Sequence, residues 1–256
     1  MKLNILLLAL LLPLSQAAAQ QPDAAQILEK SRELSITSSL NAKLHLAITE
    51  KSGAMRRRTI SMLSKSYPGG TEKRLIRFIE PADVKGTAML VVDNKNTADE
   101  MWIYLPALKK TRRIVSSEKG KSFMSSEFSN ADMSSPAPSD FKSRHLDRSG
   151  QNGQWIIESI PADDKKADEY GYLKKISYIR VSDHQVMKME FYNFDNVLFK
   201  TIEIKNIQNL SGGKFLIQDM VSENLITKRK SEIHFSEINE GSKIDDSLFS
   251  LQNLER

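Results

Sequence analysis

The sequence contains no cysteine among its 256 residues. No disulfide can staple the fold, no lipid can be attached at a thiol, and thiolate metal sites and Cys nucleophiles are excluded. Histidine is scarce as well. The four present, His45, His145, His184 and His234, share no short metal-ligand spacing, and no His-Glu-x-x-His occurs. Neither a metal nor a cofactor is expected. Catalytic patterns are missing in the same way. There is no Gly-x-Ser-x-Gly elbow and no Ser-x-x-Lys in a fitting context. Gly120-Lys121-Ser122 ends like a phosphate-binding loop, but Val115 stands where that loop needs Gly. Asp163-Asp164 and Asp245-Asp246 are adjacent pairs, and neighbours on a strand point to opposite faces. A non-enzyme is expected; a hydrolase built from distant residues is the remaining catalytic alternative.

Long apolar runs are confined to the start of the chain. Lys2 is followed by a nearly unbroken apolar stretch from Leu3 to Leu14 and then by Ser15-Gln16-Ala17-Ala18-Ala19. That order describes a cleavable secretory signal peptide, residues 1–19, with cleavage after Ala19. Residues 20–256 are then expected to be one exported, soluble domain. No later segment approaches the roughly 18 consecutive apolar residues of a spanning helix. The formal charge is +5, and removing Lys2 leaves +4. The excess is dispersed except at Arg56-Arg57-Arg58 and Lys109-Lys110-Thr111-Arg112-Arg113. In an exported protein such clusters point to solvated strand faces, anionic lipid or an acidic partner, and not to nucleic acid.

What the chain does have is period-2 patterning. One amphipathic helix comes first, from Asp23 to Leu34, with Asp23 and Gln26 resembling a capping box and Ala24, Ile27, Leu28 and Ser31 forming the inward stripe. Leu44, Leu46 and Ile48 then alternate with Lys43, His45, Ala47 and Thr49. Short strands separated by Gly, Pro, Asn and Ser turns continue to the end, and Met187, Met189 and Phe191 against Lys188, Glu190 and Tyr192 give the clearest alternation. The tract from Ser116 to Phe141 interrupts them. It is Ser-rich, yet it embeds Phe123, Met124, Phe128 and Met133, which a free linker would lack. The fold class that follows is mainly β: a large antiparallel sheet, curled or closed so as to protect its edges, with an N-terminal helix and a lid-like insertion over an apolar cavity.

The run Trp102-Ile103-Tyr104-Leu105-Pro106-Ala107-Leu108-Lys109-Lys110-Thr111-Arg112-Arg113-Ile114 resembles the signature of LolA-like outer-membrane lipoprotein-sorting proteins. Gly86-Thr87-Ala88-Met89-Leu90 upstream and Phe123 to Met133 downstream extend the resemblance over most of the chain. One departure is local. The family's Gly-Ser-Asp-Phe, followed by an aromatic, is here Ser125-Ser126-Glu127-Phe128, with Asn130 in the aromatic position. The resemblance implies an incomplete, half-open barrel of curved antiparallel sheet whose helices lid a hydrophobic cavity. It also implies a periplasmic carrier for lipid or lipoprotein acyl chains, working with an inner-membrane RND-type exporter or an outer-membrane acceptor.

These readings assign residues to roles. The expected cavity wall is Leu44, Leu46, Ile48, Leu90, Val92, Trp102, Tyr104, Met187, Met189 and Phe191, and an error of one residue in strand phase would swap its face. Ile27, Leu28, Phe123, Met124, Phe128 and Met133 are the expected lid, and Lys109, Lys110, Arg112 and Arg113 an outward strip for a partner. The alternative reading is a sensor or adaptor module that docks a membrane protein or lipoprotein without carrying cargo.

Overall fold

The computed structural model describes residues 21–95, 97–147 and 149–256. The expected signal peptide lies outside the described residues. The chain opens with helix α1 (Ala24–Ser35), whose cap is the expected one: the Asp23 carboxylate accepts from the Ala25 and Gln26 amides at 2.9 and 3.3 Å. Six strands follow, β1 (Ser39–Thr49), β2 (Met55–Ser66), β3 (Glu72–Glu80), β4 (Ala88–Asp93), β5 (Glu100–Leu105) and β6 (Lys110–Arg113). A short helix α2 (Ser116–Lys119) begins the Ser-rich tract, which runs on to β7 (Phe141–His145) and β8 (Gln154–Pro161). Helix α3 (Asp164–Tyr170), β9 (Lys174–Arg180), β10 (Val186–Tyr192), β11 (Leu198–Asn209), β12 (Phe215–Asn224), β13 (Lys230–Glu240) and helix α4 (Leu251–Leu254) complete it.

All thirteen strands form one antiparallel sheet in the order β6-β5-β4-β3-β2-β1-β13-β12-β11-β10-β9-β8-β7. Two meanders are thus joined where β1 pairs with β13, and the free edges are β6 and β7. Both edges are short and basic, which discourages edge-to-edge association. The sheet does not close through hydrogen bonds. Its edges are bridged instead by the backbones of α2 and α3, which meet where a Cβ on Gly120 would stand 2.9 Å from the Gly171 Cα. The buried pair Lys119–Glu169, 2.5 Å apart, pins the same junction.

Period-2 alternation divides the side chains between two faces. Inward on the concave face stand Leu44, Leu46 and Ile48 of β1, Ile60 and Met62 of β2, Ile76 and Phe78 of β3, and Ile233 and Phe235 of β13. The opposite face is covered near β3–β5 by the end of the chain. There Ile244, Phe249 and Leu254 pack on Leu75, Ala88 and Leu90. This explains why β3 and β4 read as apolar on both faces.

Candidate ligand cavity

The tract between the free edges folds into the half-barrel as a plug. Phe123 and Phe128 are each only 1% exposed and pack into the main core with Ala131 and Met133. Phe123, Phe128 and Met133, expected to form a lid, lie inside the half-barrel: burying two aromatic rings, each covering about 150–250 Å², makes this segment part of the core. Polar side chains of the sheet hold its backbone. Arg58 donates to the Met124 carbonyl, Arg229 donates to that of Ser125 at 2.8 Å, and Ser222 Oγ donates to that of Glu127 at 3.0 Å. Met124 and Ser125 take left-handed backbone angles, φ +49° and +63°, in the turn that brings Phe123 and Phe128 together.

Deeper in, the plug is clasped by charge. Arg74 of β3 pairs with Glu72 at 2.6 Å and with Asp93 at 3.1 Å. It also donates to the Met133 carbonyl at 2.8 Å and to Ser135 Oγ at 2.5 Å, while the Ser135 amide donates to Asp93 at 3.0 Å. Burial opposes the Arg74 charge, and the two carboxylates more than offset it, so its pKa is raised. Burial also pushes the Asp93 carboxyl up to about 6, against the pull of Arg74. Lys200 pairs with Asp132 at 2.8 Å and lies 4.3 Å above the Phe191 ring.

Between this clasp, α1 and the sheet lie two adjoining cavities that share Ser35, Ser135 and Ile217. One, of about 220 Å³, runs beneath α1 and is walled by Leu28, Phe141, Val186, Met189, Phe215 and Ile217. The other, of about 200 Å³, lies against Leu40, Leu44, Met62, Ile76, Met133 and Phe235. Together they reach the lower end of the roughly 300–1,000 Å³ of small-molecule sites. Their lining is mainly apolar, with the polar groups confined to serines, Thr37, Arg32, Glu72, Arg74, Asp132 and Lys175.

The expected cavity set divides between the two faces. Leu44, Leu46, Ile48, Met189 and Phe191 stand on the concave face, and Leu44 and Met189 border the cavities themselves. Leu90, Val92, Trp102 and Tyr104 stand on the other face, beneath the C-terminal segment. The phase is set by register: Leu90 pairs with Trp102, whereas Met89 pairs with Ile103, and these last two face the core. Met187 is also off the concave face. A bulge between Val186 and Lys188 turns its sulfur to Arg180 Nη2, 2.9 Å away, and leaves Val186 facing inward. Of the expected lid residues, Leu28 borders the larger cavity and Ile27 is buried against Trp155, Ile157 and Ile179.

The basic strip does not form one patch. Arg112 and Arg113 sit on opposite faces of the edge strand, paired with Glu118 at 2.6 Å and Glu100 at 3.5 Å. Lys109 and Lys110 are exposed at the β5–β6 turn, next to Leu108, which is 67% exposed. That turn belongs to an apolar rim. Exposed Met55, Phe194, Val197 and Ile226 occupy the β1–β2, β10–β11 and β12–β13 turns at the same end of the sheet. Sequence reading missed this rim because single apolar residues in polar turns carry no periodic signal.

Comparison with known proteins agrees with this architecture. A family model described as "uncharacterized protein" matches residues 70–256. An outer membrane lipoprotein-sorting protein domain from Vibrio parahaemolyticus superposes with a TM-score of 0.83 at 27% identity, over 91% of this chain and 98% of that one. The chain belongs to the family that the matching family model describes, and the lipoprotein-sorting domain is its structural neighbour. A DUF1329 family protein from Desulfovibrio piger (TM-score 0.81, 24% identity, 90% and 97% covered) shares the fold. So does a LolA superfamily protein from Nitrosomonas europaea (TM-score 0.71, 19% identity, 91% and 100% covered). No curated protein matches the sequence. No helix among the described residues is long and apolar enough to cross a membrane.

Proposed function

We propose that the protein is a periplasmic, non-enzymatic carrier that shields a lipid's or lipoprotein's acyl chain in the cavities beneath α1 and the plug. The supporting observation is a largely apolar interior space, walled by Leu28, Val186, Met189, Phe215 and Ile217, inside a half-barrel like that of the lipoprotein-sorting domain. Burying acyl chain is worth about 0.8 kcal/mol per CH₂, so a chain held there is stable against water. Release requires that one wall can be moved. In this reading helix α1 is the movable wall. Its apolar contact is a small cluster around Ile27 and Trp155, with single polar ties from Arg32 to the Ser135 carbonyl and from Lys214 to the last turn. The plug, by contrast, is clasped by Arg58, Arg74 and Arg229.

The residues 1–19 leader would deliver the protein to the periplasm, and residues 20–256 would act there as one domain. The rim carrying Met55, Leu108, Phe194, Val197 and Ile226, with Lys109 and Lys110 beside it, suits a membrane-embedded donor or acceptor. In this reading an exporter or acceptor meets the rim and the acyl chain passes along the cavity. The test is acyl-ligand binding by the delipidated protein, wild type against Val186→Phe and Met189→Trp, which fill the larger cavity. Binding in the wild type and its loss in the filled variants is expected. Equal uptake by all three, or by none, would remove the cavity from the account.

A further inference from the structure

The larger cavity contains one group that an acyl chain does not explain. Lys175 of β9 projects into it from the concave face. The neighbouring cations are matched, Arg32 of α1 by Glu29 and by the Ser135 carbonyl. Arg58 donates to a carbonyl, Arg74 is paired with Glu72 and Asp93, and Lys200 with Asp132. Lys175 has neither an ion pair nor a hydrogen bond among the described residues; its ammonium lies 4.7 Å from the centre of the Phe141 ring. Ser159 pairs with Lys175 across the β8–β9 ladder and Ser177 follows it on the same face, and both border the cavity. An ammonium and two hydroxyls therefore stand together on the sheet side of a wall made there by Phe141, Val186, Met189 and Ile217, while the cavity's other polar groups, Ser31, Arg32, Ser35 and Ser135, lie along α1 and the plug.

A half-buried cation without a counter-charge, facing an apolar cavity, loses solvation that no partner returns, and a ligand's anion can complete it. Burial lowers the Lys175 pKa to about 8, with the nearby Lys200 charge lowering it further and Asp132 opposing, which leaves the group mainly protonated at neutral pH. A ligand that seats an acyl chain along the apolar wall can place one anionic oxygen group against Lys175, Ser159 and Ser177.

We propose that the cavity is selective for amphiphiles with a single anionic group next to the acyl chain, a carboxylate or a phosphate, and that Lys175 is the residue that reads that charge. This rests on the carrier reading above, of which it specifies the ligand class. It makes Lys175 a binding residue, with Ser159 and Ser177 completing the anion's hydrogen bonds.

The experiment compares three probes of matched chain length on delipidated protein: palmitic acid, its methyl ester and a lysophosphatidic acid. Wild type is expected to bind the acid, the phosphate lipid or both about tenfold or more tightly than the ester, which has the chain without the charge. Preference between acid and phosphate lipid names the source of the anion. Lys175→Met should abolish the discrimination while leaving ester binding intact, and Lys175→Arg should retain it. The wild-type comparison stands even if a variant fails to fold. Equal affinity of wild type for acid, phosphate lipid and ester overturns the proposal and leaves the carrier reading standing. Failure of all three probes to bind overturns both.

Discussion

Arg74, on the third strand of the sheet, donates a 2.8 Å hydrogen bond to the carbonyl oxygen of Met133 in the plug. The same guanidinium is paired with Glu72 and Asp93. One side chain therefore ties the covering segment to the sheet and neutralises two buried carboxylates. Arg74→Met removes the cation and leaves both acids buried, which costs about 3–5 kcal/mol for a broken buried pair. Urea denaturation should show that loss, and limited proteolysis should reach residues 116–140 sooner than in wild type. Adding Glu72→Gln and Asp93→Asn should restore most of the stability. If Arg74→Met alone is neutral, the clasp is not what holds the plug.

Asp93 gives the clasp a pH dependence with a definite sign. Its folded-state pKa, about 6, lies above the ordinary carboxylate range because burial outweighs the pull of Arg74. Between about pH 4 and 6 the folded protein keeps a proton that the unfolded chain has released, so this group's contribution to stability falls as pH rises through that window. Asp93→Asn should flatten that fall. The check is the difference in urea midpoint between wild type and variant, followed from pH 4 to 7.

Lys175 should cost stability for the sake of binding. Its folded pKa, about 8, lies below the ordinary lysine value. The unfolded chain holds the proton across roughly pH 8 to 10 where the folded protein has released it, so stability rises with pH over that range. Lys175→Met should raise the melting temperature by a few degrees at pH 7, and the gain should shrink by pH 10. A variant less stable than wild type at pH 7 would mean that the ammonium has a structural partner.

Ser125 carries a φ of +63°, a region where a side chain costs about 1–2 kcal/mol and glycine about nothing. The backbone at this place is one that glycine adopts without cost, so Ser125 is a point of local strain. Ser125→Gly should stabilise the protein by about 0.5–1 kcal/mol in a chemical denaturation series, after allowing for the added freedom of the unfolded chain. Ser125→Val should do the reverse.

Much of the fold was legible because it rests on local rules. The Asp23 cap, the alternation in Leu44-Leu46-Ile48 and the large antiparallel sheet all follow from spacing, and the half-open form is what the family resemblance implied. The candidate site was legible only in part. Trp102 and Tyr104 looked inward because they alternate cleanly, but alternation does not say which face meets the core; the C-terminal Phe249 and Leu254 decide that from more than 140 positions away. Met187 failed for a different reason, since a one-residue bulge shifts its phase without leaving a mark in the sequence. Lys175 sits beside Lys174, in a basic pair that reads as solvated surface. Its isolation beneath α1 exists only once the two meanders have closed around the plug.

The central claim is that the space under α1 holds an acyl chain during transport. Its most direct test is native mass spectrometry of protein purified gently from periplasm, wild type beside Met189→Trp. The account predicts one acyl-bearing molecule per wild-type protein and its absence from the filled variant. Wild-type protein that carries no lipid and takes up none when it is offered would contradict it.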